Sequence, residues 1–150
     1  VLFEPAAAWY SFLVNKYGKN PKVKVFHFGL GLNSGNYKLY TAGINGDGNN
    51  IYTPSTCFEE ITIVKLSSFL DQNRFPRVDL IEFNCEGSEY EIIEELFYSN
   101  HLNIFQSIQI QFHKIPNFEK LRQRAYEQLS VTHRRKWYFK NIFECWELKK

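Results

Sequence analysis

The stretch from Val78 to Ile93 constrains the fold of this chain more than any other. Its first half is a short run rich in apolar residues. Parallel strands covered on both faces lose the polar/apolar alternation and read this way. Its second half opens with Gly87 and carries Tyr90, Ile92, Ile93, Leu96 and Phe97 near helical spacing, with acids between them. That pattern predicts an amphipathic helix. The turn Asn84-Cys85-Glu86-Gly87 then puts polar side chains at the carboxyl end of a strand, where open α/β sheets bind ligands.

The rest of the chain repeats the alternation. Val1-Leu2-Phe3 is a strand end stopped by Pro5, which cannot donate to a ladder. Ala6 to Tyr17 carries Trp9, Phe12, Leu13 and Val14 at helical spacing. Val23 to Phe28 is β-branched and aromatic and predicts a strand ended by Gly29 and Gly31. Asn33 to Asn36 predicts a turn, and Tyr37 to Tyr40 a short strand after a hairpin. Ala42 to Pro54, rich in Gly and Asn, predicts an irregular loop, or a lid over a site. Ile61 to Lys65 is a strand, and Ser67 or Ser68 can cap a short helix through Asn73. Asn103 to Phe112 predicts a long strand. Asn117 can cap a helix carrying Phe118, Leu121, Ala125 and Leu129. Val131 to Phe139 and Ile142 to Leu148 predict two strands joined by a tight hairpin at Lys140-Asn141. Alternating elements of this kind give an α/β fold with a mostly parallel sheet, closed by a C-terminal antiparallel hairpin. One domain is expected from 150 residues.

Composition narrows the function classes. A net charge of +2 is too small to argue for nucleic acid or a membrane surface. No apolar run approaches the roughly 20 residues of a membrane helix. Cys57, Cys85 and Cys145 form no CxxC pair and no zinc-like spacing, so no metal is expected. Free thiols in a reducing, cytoplasmic setting are the expectation. The chain has no methionine and opens directly on an apolar run, which predicts an excised piece of a longer protein.

Four stretches resemble one family in order and spacing: Phe3-Glu4-Pro5, Gly29 to Gly35, Asp79 to Glu89 and Ile110-Gln111-Phe112-His113. The family is that of the FkbM-type methyltransferases. The pattern D-L-I-x-x-x-x-E-G-x-E over Asp79 to Glu89 is the specific part. The resemblance implies a class I methyltransferase, Rossmann-like sheet. It implies S-adenosylmethionine as cofactor and O-methylation of a sugar or related small hydroxylated acceptor. In its terms Val1–Phe3 is the second strand, Val23–Phe28 the third, Val78–Asn84 the fourth and Ile104–Phe112 the fifth. The first strand and its glycine-rich cofactor turn have no counterpart, so the domain is N-terminally truncated in this reading. Unpaired edges would then invite self-association of the isolated piece.

Candidate residues follow, each with a plainer alternative. Glu4 can accept both ribose hydroxyls of an adenosyl cofactor, or be a solvated acid. Gly29 and Leu30 stand where the resemblance implies the adenine, or form a tight turn with positive φ. Glu86 can bind substrate, take a proton or ligate a metal, or be a first-turn acid favoured by the helix dipole. His113 can be a base or a substrate donor, or simply structural. Asn84 and Gln111 stand where the resemblance implies acids. An asparagine cannot be a general base and can only orient, which admits a degenerate enzyme acting as a binding or scaffolding module. Glu89, Glu91, Glu94 and Glu95 are expected on the wet face of their helix. Arg134-Arg135-Lys136 reads as the solvated face of a strand.

Overall fold

In the computed structural model, which describes residues 1–41, 48–139 and 143–150, β1 is only Leu2–Phe3 and leads into helix α1, Ala7–Tyr17. The chain returns as β2, Val25–Phe26, parallel to β1. Backbone bonds from Leu2 N–H to Lys24 and from Glu4 N–H to Phe26 extend the pairing by one residue each way. The expected strand over Val23 to Phe28 is thus confined to its middle, because the next donor in register, the Ala6 N–H, turns to the Glu4 carboxylate instead. Phe3 stacks on Phe26 at 5.6 Å and meets Phe28 at a tilt, also at 5.6 Å. Helix α1 forms where the spacing predicts it, yet buries none of its residues.

The chain divides into two compact units, Val1–Lys65 and Leu66–Lys150. The first also holds β3 (Gly29–Gly31), β4 (Gly35–Tyr40) and β5 (Phe58–Lys65), in the order β3-β5-β4. This differs from the expectation twice. Gly29 to Gly31 is a strand rather than a strand end, and β4 pairs with β5 instead of forming a hairpin with its predecessor. Ile61 and Ile63 of β5 join Leu39 and Ala6 in the core of this unit. The long connection before β5 contains residues 42–47, so most of the glycine-rich loop reading lies outside the described residues.

Gly29 is small for a packing reason. A Cβ there would lie 2.7 Å from Ile63 Cδ1 and 3.3 Å from Pro5 Cγ. Its φ is not positive, so the tight-turn alternative does not hold. Gly29→Ala should therefore destabilise the protein by about 1–3 kcal/mol through overpacking. Gly35→Ala, where the new Cβ meets only Tyr37 at 3.4 Å, is the matched control. Equal melting temperatures for the two variants would contradict the packing argument.

In the second unit β6 (Ile81–Phe83) leads through a turn into α3 (Glu89–Tyr98) and on to β7 (Ser107–Ile110), parallel to β6. The strand expected from Asn103 begins later because Leu102–Ile104 form a 3₁₀ turn. Helix α4 (Phe118–Thr132) precedes β8 (His133–Phe139) and β9 (Phe143–Leu148), giving the order β6-β7-β9-β8. β8 and β9 are antiparallel; their connection, with the predicted Lys140-Asn141 turn, lies outside the described residues. Ile92, Ile93, Leu96, Phe105, Ile108, Ile110, Leu129 and Trp146 are buried in this unit.

Two predicted caps are replaced. Helix α2 (Leu66–Asn73) starts directly after β5, and the Ser67 N–H donates to buried Glu95 instead of a serine hydroxyl capping the end. Asn117 occupies the cap position of α4 with φ 64° but makes no side-chain cap bond. Asparagine tolerates that left-handed backbone. Among the described strand pairings three are parallel and three antiparallel. The result is a mixed α/β protein rather than one read as mostly parallel from pairing alone. The basic run of β8 is exposed and matched across the ladder, Arg135 to Glu144, and Arg134 and Lys136 to Glu147. No helix among the described residues is long and apolar enough to cross a membrane.

Candidate active site

The turn after β6 is held by a side chain from the helix it starts. Glu86 has φ 50° and Gly87 φ 109°. A left-handed glutamate is disfavoured, and such residues persist where the surroundings fix them. Here the fixing group is Glu89, the first residue of α3. One of its oxygens accepts the Cys85 N–H at 2.7 Å and the other the Gly87 N–H at 3.0 Å. Its side chain is 0% exposed. Glu89 is therefore not on the wet face of its helix. The carboxylate folds back over the turn and accepts both backbone donors. Glu95, expected on the same face, is buried as well.

His113 completes the group. It follows β7, and its Nδ1 lies 2.8 Å from Glu89 Oε1. A carboxylate that already accepts two backbone donors can only accept here too, so Nδ1 carries the proton. In the neutral ring the lone pair is then on Nε2. Nε2 lies 3.4 Å from Glu86 Oε1. The Glu89 hydrogen bond, helped by the Glu86 charge and the Gln111 backbone, holds the His113 pKa above its ordinary value, although burial works the other way. The Tyr90 hydroxyl donates to the His113 carbonyl at 2.7 Å, and its ring stacks on Phe112 at 5.1 Å. Burial first, and then the Glu89 charge, push the Tyr90 pKa up to about 12, so it stays a neutral donor. His133 shows the contrast. It is buried against the Phe105 carbonyl, and desolvation pushes its pKa down.

The predicted residues thus separate. Glu86 and His113 come together in the second unit. Asn84 is exposed one residue past β6 and stands outside the bonded group. Glu4, Gly29 and Leu30 belong to the first unit. Glu4 follows β1, and its carboxylate accepts the Ala6 N–H at 2.8 Å at the start of α1. Burial, and then the nearby Glu59, raise its pKa against that hydrogen bond. Glu59 itself accepts the Ala7 N–H. Leu30 is half-buried. Glu89 was missed as a site residue, although it is the last acid of the E-G-x-E pattern that carries the resemblance. Among the described residues no group of three or more His, Cys, Asp or Glu side chains is arranged to hold a metal ion.

Beside His113 a cleft of about 250 Å³ opens between the end of β7, the start of α4 and the facing ends of β8 and β9. Gln111, Phe112, Arg122, Tyr138 and Glu144 are among its walls.

No curated protein and no solved structure matches the chain. A family model described as the methyltransferase FkbM domain does, over residues 1–143, from before β1 to the first residue of β9. Spanning both units and every residue of the Glu86, Glu89 and His113 group, that match places this chain in the FkbM methyltransferase domain family.

Proposed function

We propose that this domain is an S-adenosylmethionine-dependent O-methyltransferase acting on a hydroxyl of a sugar or related natural product. The observation that supports it most is His113, its Nδ1 bound to a fully buried carboxylate, its Nε2 3.4 Å from Glu86 and the residue itself lining a cleft. O-methylation needs a group that removes the hydroxyl proton as the oxygen attacks. His113 Nε2 has the chemistry for that, and Glu89 fixes the tautomer that leaves the lone pair on Nε2. Glu86 stabilises the imidazolium that forms. The bound cofactor supplies an electrophilic methyl group on a sulfonium. The methyl–sulfur bond of the cofactor would break to leave a neutral thioether, the proton of the acceptor hydroxyl would pass to His113 Nε2, and no covalent enzyme intermediate would be needed. The chain's own contribution is alignment and proton removal.

The residues of the first unit fit the cofactor in part. Glu4 has one hydrogen bond to Ala6 and keeps acceptor capacity for ribose hydroxyls. Gly29 fits less well, because Pro5 and Ile63 fill the space on its Cβ side. The parallel pairs β1/β2 and β6/β7, each joined through a helix, support the Rossmann-like class I fold as our assignment. The three free cysteines support a cytoplasmic setting.

The rival is a module that keeps the fold without turnover, and the exposed Asn84 amide favours it. Transfer of labelled methyl groups from S-adenosylmethionine to a panel of sugar acceptors separates the two. Steady transfer that falls in His113→Ala supports the enzyme. Cofactor binding without transfer to any acceptor overturns it.

A further inference from the structure

The cleft beside His113 has its own charge and shape. Pockets for drug-sized ligands start at roughly 300 Å³, so about 250 Å³ suits a single ring. Its walls carry aromatic faces and two fixed cations, Lys114 and Arg122, against one carboxylate, Glu144. That carboxylate is already engaged. Glu144 Oε2 accepts from Arg122 at 3.4 Å and from Arg135 at 3.3 Å, and Oε1 accepts the Trp146 indole N–H at 3.2 Å. Two guanidiniums share that one buried carboxylate; of these Arg122 lines the cleft, where with Lys114 it outnumbers Glu144 two to one. Arg122 is also held in place, over Phe112 at 5.7 Å and over Tyr138 at 5.3 Å. A guanidinium positioned in this way loses little freedom on binding an anion. Lys114 stands over Phe118 at 5.7 Å.

We propose that this cleft is the acceptor subsite and that the acceptor is a single sugar ring bearing an anionic group. Arg122 and Lys114 bind the anion, the aromatic faces carry the ring, and a hydroxyl of that ring meets His113. The assignment rests on the methyl-transfer reading of His113, and it adds the charge and size of the acceptor. Carboxylate and phosphate share the chemistry, so both are tested.

The experiment is calorimetric titration of the intact protein with methyl glucuronoside, glucose 6-phosphate, neutral methyl glucoside and acetate. One of the two anionic sugars should bind at least about tenfold tighter than both the neutral sugar and acetate. Arg122→Gln and Lys114→Gln should each reduce that preference by about tenfold. Lys114 is exposed, so its variant remains informative should Arg122→Gln fail to fold. Equal binding of neutral and anionic sugars, acetate binding as tightly as either anionic sugar, no binding at all, or a preference untouched in Lys114→Gln would each overturn the proposal. Methyl transfer is scored separately. A preference that persists without transfer sinks the enzymatic reading and leaves the binding chemistry standing.

Discussion

Glu89→Ala is expected to lower the stability of the protein by about 3–5 kcal/mol, the range for removing one partner of a buried charged group. The substitution strips the acceptor from the Cys85 and Gly87 N–H groups and from His113 Nδ1 together. It also removes the carboxylate that spans the left-handed backbone at Glu86. Domains have only about 5–15 kcal/mol in total, so the change should be plain in urea unfolding. Glu94→Ala is the control, because Glu94 makes a partly exposed ion pair with Arg124 and should lose no more than about 1 kcal/mol. Equal losses for the two variants would show that Glu89 is an ordinary helix acid.

The second large effect is on the reaction. His113→Gln should lower kcat/KM by about 10²–10⁴-fold, the usual contribution of a positioned acid or base. In the unsubstituted protein the base works only when deprotonated, so the rate should rise with pH through the His113 pKa. Glu89 and then Glu86 raise that pKa above the ordinary histidine value of 6.5, so the rising limb should lie on its alkaline side. Glu86→Gln removes one raising charge and should move the limb to lower pH. A limb that stays in place, or a rate that falls with pH, would remove His113 as the base.

The same shift has a stability consequence. A histidine with a raised folded-state pKa stabilises the fold below its ordinary pKa, and that contribution is lost as pH rises through the folded value. His133 runs the other way. Its pKa is lowered, so its contribution is present above the ordinary value and lost as pH falls through the folded one. His113→Gln and His133→Gln should therefore flatten the pH dependence of stability on opposite sides.

Much of the second unit could be read from the residues. The run from Val78 to Ile93 gave strand, turn and helix because its period changes inside one short stretch. Glu86 and His113 could be singled out as candidates because each stands just past the end of a strand. Glu89 was not, since helical spacing alone groups it with the exposed acids. What buries it is the pair of positive φ angles at Glu86 and Gly87, and spacing does not encode dihedrals. The first unit was harder. β3 and β4 each pair with β5, a partner far along the chain, and short apolar runs carry no information on such pairing. The turn alternative for Gly29 rested on glycine being permissive, whereas its neighbour Ile63 is what demands the missing side chain.

The most direct measurement is nitrogen NMR of the His113 ring across a pH titration in the intact protein. The account predicts a neutral ring protonated at Nδ1, with a pKa above 6.5 that falls in Glu86→Gln. A ring protonated at Nε2, or a pKa below the ordinary value, would contradict it, because the lone pair would then be turned toward Glu89 and away from any acceptor.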